Sequence, residues 1–335
     1  MVLCHCDCNR KLLFTLPLLL SNRFIDDKIV RRFRGVVSDN LIEEASRYIR
    51  QRSEAVNAVG LDLTVFGGEP LLYPEKVVAL LDSFHGFHNK RVNIVSNGTH
   101  INPRLLSLLV GKGLNVLQLS FDGGAATHDL TRHNLAGMGS YHCIMSNVRS
   151  ISSVQGITLF CRVNVTQSNY KDLPNLIADL RENITCPNKC IIYFQIIRDV
   201  GGFSYATSLN DDVCDVLLSC YALALQYGFN VLAPTDTRQC LTCGIIKNPY
   251  SCVIGPDGSL YSCLEAVGRP GLVIGDIAHG YYAYADGPRW VHCGYDALNV
   301  IHRSQTDYLD ARILDLLRDQ GKLGHCDKTY YGLVH

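Results

Sequence analysis

From about residue 40 the chain alternates between two spacings of apolar residues. Short runs rich in β-branched and apolar residues, Leu61–Phe66, Val92–Ser96, Val116–Phe121, Thr158–Val165 and Cys190–Ile197, read as buried strands. Between them Asp39–Arg52, Glu75–Phe84, Pro103–Val110, Tyr141–Ser152 and Lys171–Arg181 carry apolar positions at helical spacing, and a last helix spans Asp211–Tyr227. Within Glu75–Phe84, for example, Val77, Val78, Leu80, Leu81 and Phe84 make one stripe. Strands that recur every few tens of residues with helices between them predict parallel βαβ units. In such units ligand chemistry belongs at the carboxyl ends of the strands. The polar and glycine-rich residues fall there: Gly67-Gly68-Glu69, Ser96-Asn97-Gly98, Ser120-Phe121-Asp122-Gly123 and Asn164.

The pattern changes near Ala233-Pro234-Thr235-Asp236. Helices thin out, and Cys240, Cys243, Cys252 and Cys263 follow. The stretch Tyr250–Tyr261 reads as a β-hairpin turning at Pro256-Asp257-Gly258. Three segments result: a divergent 1–38, an α/β unit over 39–232 and a cysteine-bearing unit over 233–335.

Composition narrows the partners. Lys+Arg and Asp+Glu are both 31, so nucleic acid and acidic polymers are not expected. The longest apolar run, Leu12–Leu20, is interrupted by Thr15 and Pro17 and falls short of the roughly 20 residues that span a bilayer. It lacks the small-residue cleavage site of a secretion signal, so the expected location is the cytoplasm, away from membranes. Fifteen cysteines, an odd count clustered toward both ends, fit metal or cluster ligation better than a disulfide framework. The isolated Cys143, Cys161, Cys214 and Cys220 lie within strand or helix patterns and read as small buried apolar residues.

The tetrapeptide Gly67-Gly68-Glu69-Pro70 sits between the strand ending at Phe66 and the helix beginning near Glu75. Two glycines there leave the backbone bare for a ligand, and the proline stops further strand pairing. A tight turn with a capping glutamate would also satisfy this tetrapeptide taken alone. Together with Val95-Ser96-Asn97-Gly98, with Leu119-Ser120-Phe121-Asp122-Gly123 followed by His128-Asp129 and Arg132, and with Gly139-Ser140-Tyr141, it resembles the radical S-adenosylmethionine (SAM) enzymes that carry a C-terminal SPASM or twitch domain. The resemblance covers roughly residues 40 to 280. It implies a partial (β/α)6 TIM-like barrel followed by a small cysteine-bearing β-rich domain. It also implies that Gly67, Gly68, Glu69, Pro70 and Asn97 lie around SAM's methionine, with Ser120, Asp122 and Arg162 near its ribose and carboxylate. An arginine fork suits a carboxylate, and a hydroxyl or carboxylate side chain suits a ribose.

The cysteines carry the metal expectations. Cys243, Gly258 and Cys263 match the spacing that opens a SPASM domain, and Cys240 precedes Cys243 with two residues between them. Iron–sulfur ligation and a zinc knuckle both fit that spacing; the resemblance favours one auxiliary 4Fe–4S cluster. The cluster that cleaves SAM takes cysteines spaced C-x3-C-x2-C after the first strand of the family's barrel. This chain offers Cys4, Cys6 and Cys8, spaced by single residues, with no strand pattern ahead of them. The first strand and its loop are therefore expected to be missing or replaced. An extended run would put the three thiols on one face, toward a cluster or a zinc ion.

The resemblance implies oxidative modification of a peptide or protein through a 5′-deoxyadenosyl radical, with electrons from a donor such as flavodoxin or ferredoxin. Two alternatives stand beside it. One is a degenerate, non-catalytic SAM- or peptide-binding protein of the same fold; the other is a small-molecule twitch enzyme.

Overall fold

The computed structural model describes residues 11–17, 36–87, 89–134, 136–197, 210–232, 251–262, 266–268, 270–282 and 300–322. Seven strands run parallel in chain order: β1 (Lys11–Pro17), β2 (Gly60–Phe66), β3 (Lys90–Ser96), β4 (Leu114–Phe121), β5 (Thr158–Val165), β6 (Cys190–Ile196) and β7 (Asn230–Val231). Helices α1 (Asp39–Ala55), α2 (Pro74–Ser83), α3 (Pro103–Gly111), α4 (Ala125–Thr131), α5 (Tyr141–Ile151), α6 (Leu173–Asn183) and α7 (Asp211–Gln226) alternate with them. This is the parallel sheet of a partial TIM-like barrel.

Local chemistry starts the helices where the sequence permits. Ser38 accepts from Leu41 N at 3.1 Å, Asn102 from Leu105 N at 3.0 Å and Asn210 from Val213 N at 2.9 Å, each answering a backbone donor that a first turn leaves open. Packing then fixes the faces. Leu61, Leu63 and Val65 of β2, and Val92 and Ile94 of β3, join the main core together with Val77, Leu80 and Leu81 of α2. Strand alternation puts the residues between them, Asp62, Thr64, Phe66, Arg91, Asn93 and Val95, on the opposite face. On β4 to β6 that second face holds a small apolar group, Val116, Phe160 and Ile191. Gln118, Ser120, Arg162 and Asn164 alternate with it along the same strands.

The structure corrects the expectation of a missing first strand. Lys11–Pro17 pairs with β2 in parallel over its whole length, from Lys11↔Gly60 to Pro17↔Phe66. The part of the apolar run from Leu12 to Pro17 thus lies in the first strand of the barrel. Its near-continuous apolar sequence is typical of strands in parallel sheets. Its other edge takes β8 (Ser251–Ile254), also in parallel.

From β8 the sheet continues antiparallel through β9 (Ser259–Tyr261), β10 (Val273–Asp276) and β11 (Gly280–Tyr281). The hairpin expected at Pro256-Asp257-Gly258 joins β8 to β9. Gly258 turns it at φ +82°, and Asp257 Oδ1 accepts from Ser259 N at 3.0 Å. After residue 233 the described residues hold one α-helix that the sequence reading did not foresee, α8 (Val300–Asp319), which buries Leu309, Ile313 and Leu317 in the main core. Its apolar stripe is narrow and set among charged residues, which hides it from a periodicity reading. Cys161, Cys214 and Cys220 are buried as expected, but Cys143 is exposed. It falls off the stripe of Tyr141, Ile144, Met145 and Val148 that α5 turns inward. No helix among the described residues is long and apolar enough to cross a membrane.

Candidate functional site

The carboxyl ends of β2 to β5 bring the predicted residues to one edge of the sheet, and two hydrogen-bonded groups organise them. The first ties the β2 loop to the β3 loop. Gly67 and Gly68 adopt φ +104° and +42°, values that side chains resist, with Gly68 exposed to solvent. Glu69 follows, buried, and Pro70 opens a short 3-10 turn over Pro70–Leu72. The Glu69 carboxylate is fully engaged: Oε1 accepts from Leu71 N at 3.0 Å and Ser96 Oγ at 2.8 Å, and Oε2 from Asn97 N at 2.5 Å. Burial pushes its pKa up, against the opposing pull of those three donors. Ser96 Oγ accepts in turn from Gly98 N at 3.0 Å, and Asn97 Oδ1 accepts from Thr99 N at 2.9 Å. Glu69 therefore acts by holding the bare backbone of Gly67-Gly68 against the loop that carries Asn97.

The second group centres on Asp122, just past β4. Its Oδ2 accepts from Arg132 Nε at 2.7 Å and Thr131 Oγ1 at 2.9 Å, and its Oδ1 from Asn164 Nδ2 at 2.8 Å. Burial alone would raise the Asp122 pKa, but the charge of Arg132 and these hydrogen bonds outweigh it and hold the carboxyl below its usual value. Arg162 Nε donates to Asn164 Oδ1 at 3.2 Å, so Arg162, Asn164, Asp122 and Arg132 form one chain along the edge. Asn169 braces it from below, its Nδ2 donating to the backbone oxygens of Asp122 and Asn164 at 3.0 and 2.8 Å. Ser120 stands level with Arg162 in the strand register, and its hydroxyl makes no hydrogen bond with any described residue.

His128 fixes the turn after β4. Its Nδ1 accepts from Asp122 N at 3.2 Å, which leaves the proton on Nε2, 3.2 Å from Ser140 Oγ; that hydroxyl donates to Arg132 O at 2.9 Å. Phe121 and Tyr141 flank the ring. Burial, helped by the charge of Arg132, pulls the His128 pKa down to about 4.

Of the sequence-predicted residues, Gly67, Gly68, Glu69, Pro70 and Asn97 come together through the first group, and Asp122 and Arg162 through the second, with Ser120 beside them. Arg132, Asn164, Asn169 and Thr131 were not given a site role by the sequence. Asn164 was legible only as a strand-end polar residue and Arg132 only as part of the resemblance; Thr131 and Asn169 are single polar residues that only the fold brings beside Asp122. Cys4, Cys6, Cys8, Cys240, Cys243 and Cys263 lie outside the described residues. Among the described residues no group of three or more His, Cys, Asp or Glu is placed to hold a metal ion.

This arrangement has known relatives. The family model of the radical SAM superfamily matches residues 5–180, more than half of the chain. The chain belongs to the radical SAM superfamily. No curated protein matches it. Among solved structures, native anSMEcpe with bound AdoMet and Cp18Cys peptide is 15% identical with a TM-score of 0.58, covering 92% of this chain and 99% of that one. Streptococcus suis SuiB bound to S-adenosylmethionine is 13% identical with a TM-score of 0.53, covering 83% and 65%. At these identities the likeness is one of fold. Membership brings the family's cofactors, SAM and a 4Fe–4S cluster.

The two cofactors fit this chain unequally. SAM fits the described edge: an open glycine backbone, a Ser120 hydroxyl that no described residue engages and the guanidinium of Arg162 are the donors and acceptors that an amino acid carboxylate, an amine and a ribose require. A cluster at the carboxyl end of β1 does not fit, because the sequence holds no cysteine from Asn9 to His142.

Proposed function

We propose that the carboxyl edge of this barrel binds SAM and that the chain serves the oxidative modification of a peptide or protein. The observation that carries the SAM reading is the Gly67-Gly68 backbone at positive φ, locked to the β3 loop by the buried Glu69. Backbone groups at Gly67 and Gly68 receive the methionine amine, Arg162 faces its carboxylate charge, and Ser120 offers a hydroxyl to the ribose. Asp122, spent on Arg132, Thr131 and Asn164, positions Arg162 through Asn164. The peptide assignment is supported by family membership and by the peptide bound in the anSMEcpe relative.

A second reading, a SAM- or peptide-binding protein without SAM cleavage of its own, is favoured by the cysteine-free stretch after β1. Two measurements test the pair. Calorimetric titration of SAM into Gly68→Ala should give at least tenfold weaker binding than into wild type, whereas Gly86→Ala, also at positive φ (+89°) with open space around it, should bind normally. Equal affinities in all three would refute the SAM site. Chromatographic assay of 5′-deoxyadenosine under dithionite separates the readings: rapid production supports modification chemistry, and SAM binding without it supports the binding protein.

A further inference from the structure

Below the SAM edge the inner face of the barrel carries polar side chains that no described residue answers. Thr64 of β2 stands level with Asn93 of β3, and Asn93 with Val116 of β4. Gln118 is the next inner position up β4 and Ser120 the one after, each step rising about 7 Å. A polar line therefore descends from Ser120 through Gln118 to Asn93 and Thr64. Near the carboxyl edge this face is open, since Phe66, Val95, Ser120, Arg162 and Tyr193 are half-buried. Thr64, Gln118 and Asn93 are only 6%, 3% and 0% exposed and make its floor.

That floor is unsatisfied. Neither amide atom of Asn93 is hydrogen-bonded to a described residue, and the Gln118 amide and Thr64 hydroxyl likewise engage none. Buried polar groups without partners lose their hydration and regain nothing, so a cluster of them marks a partner still to come. The inventory sets the chemistry of that partner. Two carboxamides and a hydroxyl offer donors and acceptors together and carry no charge. A carboxylate would answer only the donors and an ammonium only the acceptors, and either charge would be buried without a counter-ion at this level. On β2 to β5 the charged inner positions lie elsewhere: Asp62 and Arg91, opposite in sign and level with each other, one step below, and Arg162 level with Ser120 above. Val116 stands beside Asn93 and Phe160 beside Gln118, apolar flanks that suit a planar amide.

We infer that Thr64, Asn93 and Gln118 form a substrate subsite beneath the SAM edge, which receives a neutral amide group of the molecule to be modified. This rests on the SAM reading proposed above, which gives the substrate its place on the same face. A peptide supplies such a group either as an Asn or Gln side chain or as a backbone peptide unit.

The experiment uses the full chain, Asn93→Val and Gln118→Leu, each with saturating SAM, and follows side-chain NH2 groups by nitrogen-15 NMR. The Asn93 and Gln118 signals are assigned by their disappearance in the respective variant. The probes are propionamide for a side-chain carboxamide, N-methylacetamide for a peptide unit and propionate as the charged isostere. At least one amide should shift both signals saturably in wild type, and the tighter of the two identifies the source. Propionate should bind at least about tenfold more weakly, and each variant should weaken the tighter amide by about tenfold while melting near the wild-type temperature. No saturable shift by either amide, as a floor filled by fixed water would give, overturns the subsite. So does an equal response to propionate, or an amide affinity unchanged in both variants. Shifts caused by SAM alone, with no further response to the amides, would give the floor to SAM and overturn it as well. SAM affinity is measured in parallel by calorimetry. If wild type binds SAM but neither amide, the subsite fails alone; if it binds an amide but no SAM, the SAM reading fails, and with it the assignment of the floor to substrate.

Discussion

Acidification should loosen the turn after β4 through His128, in a calculable amount. The native fold demands neutral imidazole, because Nδ1 must accept the Asp122 N–H and the ring is buried between Phe121 and Tyr141. Its folded pKa is about 4, against an ordinary value of 6.5. The group is depressed, so the unfolded chain binds the extra proton first, and stability is lost as pH falls from about 6.5 toward about 4. Linkage over that window gives about 2 kcal/mol lost between pH 7 and pH 5, and about 3 kcal/mol once the native imidazole is also protonated. Urea denaturation of wild type and His128→Asn at half-unit pH steps from 7 to 5 isolates the effect, since subtracting the two removes other titrating groups. Asn places its Oδ1 where Nδ1 stood and keeps the Asp122 N–H bond. It forfeits the ring packing and the Ser140 contact, which should cost about 2–3 kcal/mol at pH 7. That deficit should shrink to about 0–1 kcal/mol at pH 5, because only wild type pays for protonation. A difference between the two proteins that stays constant across the range would refute the assigned tautomer and the demand for neutrality.

Three further outcomes follow from the same groups. Glu69→Ala strands the Leu71 and Asn97 N–H groups and the Ser96 hydroxyl, a loss partly offset by removing a buried carboxylate; net destabilisation of about 2 kcal/mol, read as a fall of about 4 °C in melting temperature, should accompany weaker SAM binding. Weaker binding with unchanged melting would mean instead that the carboxylate reads SAM directly. Asn93 is fully buried with neither amide atom hydrogen-bonded to a described residue, so Asn93→Val should leave the protein as stable or about 1 kcal/mol more so by urea denaturation; clear destabilisation would show the amide paired in solution. Ser120→Ala, which removes a hydroxyl that no described residue uses, should leave melting within about 1 °C while weakening SAM binding, and unchanged affinity would remove Ser120 from the ribose contact.

The sequence by itself determined the alternation of strands and helices, the parallel sheet that follows from it and the placement of polar residues at strand ends. Those properties are local: strand and helix periodicities, caps such as Ser38 and Asn210, and glycines where a turn needs positive φ. It also determined the hairpin at Pro256-Asp257-Gly258, whose turn chemistry lies within a few residues. Only the tertiary structure decided that Lys11–Pro17 is the first strand. A short apolar run with cysteines ahead of it is not legible as a core strand until partners at β2 and β8 exist to receive its two edges. The roles of Glu69 and Asp122 were likewise undecidable from motif residues. Each carboxylate is defined by donors far away in the chain, Ser96 and Asn97 for one, Asn164 for the other, which meet it only when neighbouring strands are in register.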